Sequence, residues 1–167
     1  MHLSATPRSV APPAPIMPRD VNVLLEQART LCRAAGDGTL RPLLKGKILG
    51  LLCAADDSLE AILFRRAATE LGARVSHILP SLTEASPEQE ELHTGRLLGR
   101  LYDAVECQGV PGPLVARLGD AAGIPIYAGL ASATHPTAAL AERLDPGVGP
   151  MESRRFLVQA MLLHTIG

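Results

Sequence analysis

Aromatic side chains are nearly missing from this chain. They make up 2% of its 167 residues, as two Phe, two Tyr and no Trp. Aliphatic residues and alanine must therefore supply the packing, which suits a sheet covered by Ala/Leu-rich helices. Net charge is also missing: 16 basic and 17 acidic side chains leave −1, which gives no electrostatic case for binding nucleic acid or an anionic membrane. The three cysteines, Cys32, Cys53 and Cys107, are odd in number and widely spaced. They form no CxxC and no zinc spacing, so they are expected to be reduced and mostly buried. No apolar run is long enough to span a membrane and no signal-peptide core opens the chain, so a cytoplasmic protein is expected. There is no GxGxxG, no P-loop and no HExxH. His2, His77, His93 and His164 form no i,i+4 metal pair, and Ser58 and Ser132 lack a nucleophile-elbow context. No metal or cofactor is expected.

What is present is a globular composition, 47% hydrophobic and 20% charged, in a length that suggests one domain with a real core. The first 18 residues carry Pro7, Pro12, Pro13, Pro15 and Pro18 with little periodicity, and are expected to form a flexible tail. Asp20 can cap a helix over 21–35, ended by Gly36 and Gly38. Residues 48–53, apolar on both faces, suit a central parallel strand. Further strands are expected at 73–79, 104–107 and 124–127. Helices are expected at 57–71, 88–101, 113–122 and 136–144, the last with Pro136 in its first turn. Alternation of this kind predicts an α/β fold: a doubly wound, four-stranded parallel sheet with helices on both faces, whose ligands sit at the carboxyl ends of the strands. Residues 145–150 form a Pro/Gly linker. A final helix over 151–166 repeats Phe156, Leu157, Ala160, Met161 and Leu163 at helical spacing, and is expected to dock on the same domain.

Several segments carry a resemblance. Residues 129–142, G-L-A-S-A-T-H-P-T-A-A-L-A-E, follow a short apolar strand and resemble the G-L-S-D-x-x-H-P-x-Q-A-L-A-D segment of the aspartate and ornithine carbamoyltransferases. L-K-G-K-I-L-G at 44–50, F-R-R-A-A-T-E-L-G at 64–72 and T-G-R-L-L-G-R-L-Y-D-A-V at 94–105 resemble that family's L-K-G-K-x-L, F-E-x-A-x-x-x-L-G and D-T-A-R-V-L-S-R-x-x-D-A-I. Over about 21–144 the chain is similar to the family's carbamoyl-phosphate-binding domain, with I-P-I-Y-A-G-L leaning to the ornithine branch. Glu152-Ser153-Arg154 followed by Gln159-Ala160-Met161 resembles the terminal helix that returns from the amino-acid-binding domain in full carbamoyltransferases. Here only the linker precedes that helix, so the resemblance implies that the second domain is missing.

The resemblance also implies a site, and this chain departs from it. The family's phosphate cradle, S-x-R-T-R at a helix N-terminus, falls on Asp57, Ser58, Leu59, Glu60 and Ala61. Both cradle arginines are lost. Asp57 and Glu60 read as a capping box that satisfies the helix donors itself, and Asp56, Asp57 and Glu60 would repel an anion by roughly 1 kcal/mol per contacting pair in water. Arg65 and Arg66 lie about two turns further on. The arginine of D-A-I-x-x-R falls on Gln108. His135, which in the family donates a hydrogen bond to the carbamoyl oxygen, is retained before Pro136, but its partner glutamine is Ala138 and the usual asparagine is Ala128. The 81–87 loop, where the family reaches into the neighbouring subunit, has no lysine or arginine.

Three readings follow. One is a carbamoyltransferase homologue inactive on its own, serving as a scaffold or regulatory subunit. The resemblance implies a homotrimer for it, or a hetero-oligomer with a full-length carbamoyltransferase, dihydroorotase or arginine-pathway enzyme. Another is a divergent carbamoyltransferase completed by a partner chain. The last is a binder of another neutral or cationic small molecule at the strand ends.

Overall fold

A computed structural model describes residues 18–167. The Pro-rich tail therefore lies, but for its last residue, outside the described residues. Strand β1 (Ile48–Leu52) is buried from Leu49 onward, Leu49 and Leu51 on one face and Leu52 on the other. A strand covered on both faces belongs inside a parallel sheet. β2 (Arg74–Ile78), β3 (Ala104–Cys107) and β4 (Ile126–Ala128) complete a four-stranded parallel sheet in the order β2-β1-β3-β4. Leu51 pairs with His77 on one side and Glu106 on the other, and Glu106 pairs with Tyr127. The chain leaves β1 in one direction and returns past it to β3. The connections after β1 and β3 diverge there, which opens a switch point at the carboxyl ends.

Helices cover both faces. Helix α2 (Leu59–Glu70) packs on β1 and β2, α5 (Pro150–Ile166) lies across α2, and α1 (Pro18–Gly36) packs chiefly on α5. This side holds the larger core, from Leu24 and Phe64 to Phe156 and Leu162. On the opposite face α3 (Glu88–Leu101) and α4 (Gly112–Ala122) enclose Leu52, Leu98, Val105, Cys107 and Val115. A bidentate pair joins these two helices, Arg117 Nε donating to Glu91 Oε2 at 2.7 Å and its Nη2 to Oε1 at 3.0 Å.

Helix α5 is tied down by polar groups as well as packing. Gln159 is fully buried, and its Nε2 donates to the Ala67 carbonyl at 3.2 Å and to Glu70 Oε2 at 3.0 Å. Arg155, also buried, forms a bidentate pair with Glu152 at 2.8 Å and lies over the Phe156 ring. Its Nε is 3.1 Å from Glu70 Oε2, close enough for attraction but off hydrogen-bond angle.

Four details differ from the sequence reading. Helix α2 is capped by Ser58, not by an Asp57–Glu60 box: Ser58 is extended (φ −65°, ψ 155°) and its hydroxyl accepts from Ala61 N–H at 3.1 Å. Glu60 then lies inside the first turn rather than at the position that reaches back to the cap. Strand β4 begins at Ile126 rather than 124, because Pro125 has no N–H for the ladder and contributes only its carbonyl, which accepts from Val105 N–H at 3.0 Å. The 136–144 helix is a 3-10 helix, Pro136–Arg143. Its tight winding starts upstream, where Ser132, His135 and Ala138 N–H groups donate in turn to the carbonyls of Gly129, Ser132 and His135. Helix α1 begins at Pro18, three residues before the expected 21, so Asp20 lies in its first turn instead of capping it. The other boundaries agree within a residue or two of the expected ones.

Candidate functional site at the strand ends

The segment after β1 is exposed and acidic, and Asp56 and Ser58 in it are already engaged. Arg65 turns back from α2 so that Nη1 donates to the Asp56 carbonyl at 3.2 Å and Nη2 lies 3.6 Å from its carboxylate. Arg66 donates to Glu70 at 3.0 Å. Neither arginine replaces the missing cradle cations. His77 Nε2 donates to the Cys53 carbonyl at 2.8 Å, and its Nδ1 lies 3.7 Å from Asp56. Leu59, in a cradle-arginine position, is exposed, whereas Ala61, in the other, is fully buried.

The strongest polar feature was not singled out from the sequence. Glu106 is fully buried inside β3, and its two carboxylate oxygens accept from Leu130 N–H at 2.8 Å and Ala131 N–H at 2.9 Å. It thereby fixes the loop that follows β4. Gly129 makes the turn possible with φ +67°, and its N–H donates to the Cys107 carbonyl at 2.8 Å. The Arg154 guanidinium of α5 donates to the Ala131 carbonyl from the other side. Burial pushes the Glu106 carboxyl up to about 7, against the two backbone donors, which favour the charged form; Glu60 pushes the same way as burial. The signal in the sequence was a lone carboxylate in an otherwise apolar strand, A-V-E-C.

Gln108 follows it. Its backbone N–H donates to the Leu52 carbonyl at 2.9 Å, while both polar atoms of its buried side chain lack a hydrogen-bond partner among the described residues. The amide is close enough to Glu106 to favour its charged form without reaching hydrogen-bond geometry. The neighbouring thiols are unsuited to nucleophilic chemistry. Burial pushes Cys107 up to about 12, and burial together with Asp56 raises Cys53.

His135 is half-buried and caps the 3-10 helix. Its Nδ1 accepts from Thr137 N–H at 3.2 Å and lies 2.7 Å from the Thr137 hydroxyl. That fixes the proton on Nε2, and burial lowers the ring's tendency to take a second one. Pro136 is exposed, and Ala138 offers no polar group. His135→Ala is expected to cost about 1 kcal/mol through loss of the cap, with His135→Asn keeping most of it. Urea unfolding midpoints check this; equal losses in both variants would assign the effect to the ring's packing instead.

The switch point thus brings the predicted positions together at the ends of β1, β3 and β4, as an acidic surface whose neighbouring arginines, Arg65 and Arg154, are already engaged. The small cavity at the strand ends, about 40 Å³, lies toward α3 and α4 between Leu52, Ile78, Leu79 and Leu98. It is too small for a metabolite and, apart from Ser81 and Leu82 at the start of the 81–87 loop, touches none of the predicted site residues. The 81–87 loop closes on itself, Thr83 N–H donating to the Ser86 hydroxyl at 2.9 Å. Among the described residues no group of His, Cys, Asp and Glu is placed to hold a metal ion, and no helix is long and apolar enough to cross a membrane.

No family model matches the chain. Its relatives are informative. It is 36% identical over 126 residues to an ornithine carbamoyltransferase of Haemophilus influenzae strain PittGG, covering 75% of this chain and 38% of that protein. The chain belongs to the carbamoyltransferase family. A catabolic ornithine carbamoyltransferase of Chromobacterium violaceum is 38% identical over 128 residues, covering 76% and 38%. Among solved structures, the ornithine carbamoyltransferase of Pyrococcus furiosus superposes with a TM-score of 0.62 at 22% identity, covering 75% of this chain and 40% of that one. The aspartate transcarbamoylase of Trypanosoma cruzi gives 0.57 at 24%, covering 75% and 40%. The chain therefore carries a partial, N-terminal-like carbamoyltransferase domain, and spans about two fifths of the length of the curated relatives it matches.

Proposed function

We propose that this carbamoyltransferase-family chain is not a catalyst on its own and acts as a scaffold or regulatory subunit of an oligomer. One observation carries the reading: the head of α2, where the family cradles phosphate, holds no cation and is capped by its own Ser58 hydroxyl, while Asp56 occupies Arg65. Gln108 supports it, since a neutral amide stands where a second phosphate-binding arginine would be. The short 145–150 connection supports the view that the amino-acid-binding domain is missing between the 3-10 helix and α5. A trimer through this domain, or a mixed assembly with a full-length carbamoyltransferase, is the form in which such a subunit would act.

His135 favours a second reading. Its Nε2–H remains a hydrogen-bond donor, the role the family gives this residue, so a partner chain supplying cations and an amine site could complete an active centre. One titration separates the two. Calorimetry with carbamoyl phosphate, with inorganic phosphate as control, is expected to show no binding at millimolar ligand. Micromolar binding specific to carbamoyl phosphate would overturn the scaffold reading and point to the second.

A further inference from the structure

A second cavity lies away from the strand ends, in a groove between α1, the end of the 3-10 helix and the start of α5. Its volume is about 410 Å³, within the range of small-molecule sites. We propose that it binds a small amphipathic organic anion, a carboxylate carried on an aliphatic or aryl body.

Three arginines line the groove, Arg29 and Arg33 from α1 and Arg143 from the 3-10 helix. Arg29 and Arg33 are one helical turn apart and share a face. Arg29 is held in place, Nη1 by Glu26 and Nη2 by the Arg143 carbonyl, both at 3.2 Å. Arg33 and Arg143 form no ion pair among the described residues. The one carboxylate on the rim, Asp145, is turned to the backbone, its Oδ1 accepting from Gly147 N–H at 2.9 Å. The rim therefore carries an excess of positive charge in the residue type whose planar fork matches a carboxylate.

The floor is of opposite character. Leu144 and Phe156, both buried in the core, and Cys32 line it. Ser153 adds one polar atom. The residue is 2% exposed, yet its hydroxyl makes no hydrogen bond with the described residues and is not closed off from the groove. A highly charged, fully hydrated anion would gain nothing from this floor. A monoanion with an apolar body would place its head between the arginines and its body on Leu144 and Phe156, with Ser153 available to an ether or carbonyl oxygen. None of Asp57, Ser58, Gln108 or His135 lines the groove, so the proposal is independent of what the ancestral site does.

The test uses the full chain, labelled with nitrogen-15, and three probes: octanoate, octanol and inorganic phosphate. Octanoate is expected to shift amide and arginine Nε–H signals of 29–33 and 143–156 saturably. Octanol, with the same body and no charge, should bind at least about tenfold more weakly, and phosphate should not saturate. The Arg33→Ala/Arg143→Ala double variant alters exposed side chains only, so its melting temperature should hold while octanoate affinity falls at least about tenfold. Equal affinity for octanol, an unchanged affinity in the double variant, or no saturable shift at millimolar octanoate would overturn the proposal. So would shifts of these signals with protein concentration alone, which would make a second copy of the chain the occupant.

Discussion

Glu106→Ala should lower the unfolding free energy by about 3–5 kcal/mol, a large part of what holds a domain of this size folded. Two buried N–H groups, of Leu130 and Ala131, would lose their acceptors, at roughly 1–3 kcal/mol for each unsatisfied group. A fully buried side chain would also leave a cavity. Urea unfolding of the variant measures the loss. A change below about 1 kcal/mol would mean that the loop after β4 relaxes and finds water.

The same carboxyl makes stability depend on pH. Its pKa is raised from the ordinary 4.5 to about 7 in the folded protein, so the folded state holds a proton that the unfolded chain has already released. Stability from this group is complete below the unfolded value, falls as pH rises through the window between the two, and is flat above the folded one. The total is on the order of 3 kcal/mol. Urea midpoints should accordingly drop between mildly acidic and slightly alkaline buffer, and Glu106→Gln, which cannot ionise, should lose that slope. A wild-type midpoint that rises across the window would show the backbone donors outweighing burial.

The second large effect is steric. A Cβ on Gly99 would stand 2.1 Å from the Ala122 carbonyl oxygen and 2.9 Å from its carbon. Both are backbone atoms, so no rotamer relieves the clash. Gly95, one turn earlier, would place a Cβ 2.6 Å from that of Ala121. Helices α3 and α4 approach closely because these positions have no side chain. Alanine would otherwise favour a helix over glycine by about 1 kcal/mol, but overpacking costs about 1–3 kcal/mol or more. Gly99→Ala is therefore expected to destabilise by about 2 kcal/mol and Gly99→Val by more. Gly112→Ala serves as the control, since nothing lies within 4 Å of its Cβ position; it should be neutral or mildly stabilising. Thermal melting ranks the three, and Gly99→Ala melting with or above the parent would refute the close approach.

The sheet was legible because its signals are local and repeated. A run apolar on both faces gave β1 nearly residue for residue, the alternation of helix and strand gave β3 and α3, and helical spacing gave α5. Less local features were missed. Whether Asp57 or Ser58 caps α2 depends on one backbone turn, and both residue types are good caps. The winding of Pro136–Arg143 is set by bonds that begin at Gly129, outside the window in which a helix is read. Glu106 passed as one residue of a short strand. Its meaning comes from two N–H groups more than twenty residues later, a distance that no pattern in A-V-E-C encodes.

The seating of α1 on α5 also governs how the chain can be made. The first helix finds its packing partner only in the last of the described elements. Contacts of such long sequence separation form late and slowly. As the polypeptide emerges from the ribosome, the sheet and its α3/α4 side can assemble while the Leu24, Leu25, Ala28 and Leu31 face of α1 still waits for its partner. Until α5 has emerged the nascent chain therefore displays a ready hydrophobic stripe, the kind of surface that chaperones hold and that neighbouring nascent chains can capture.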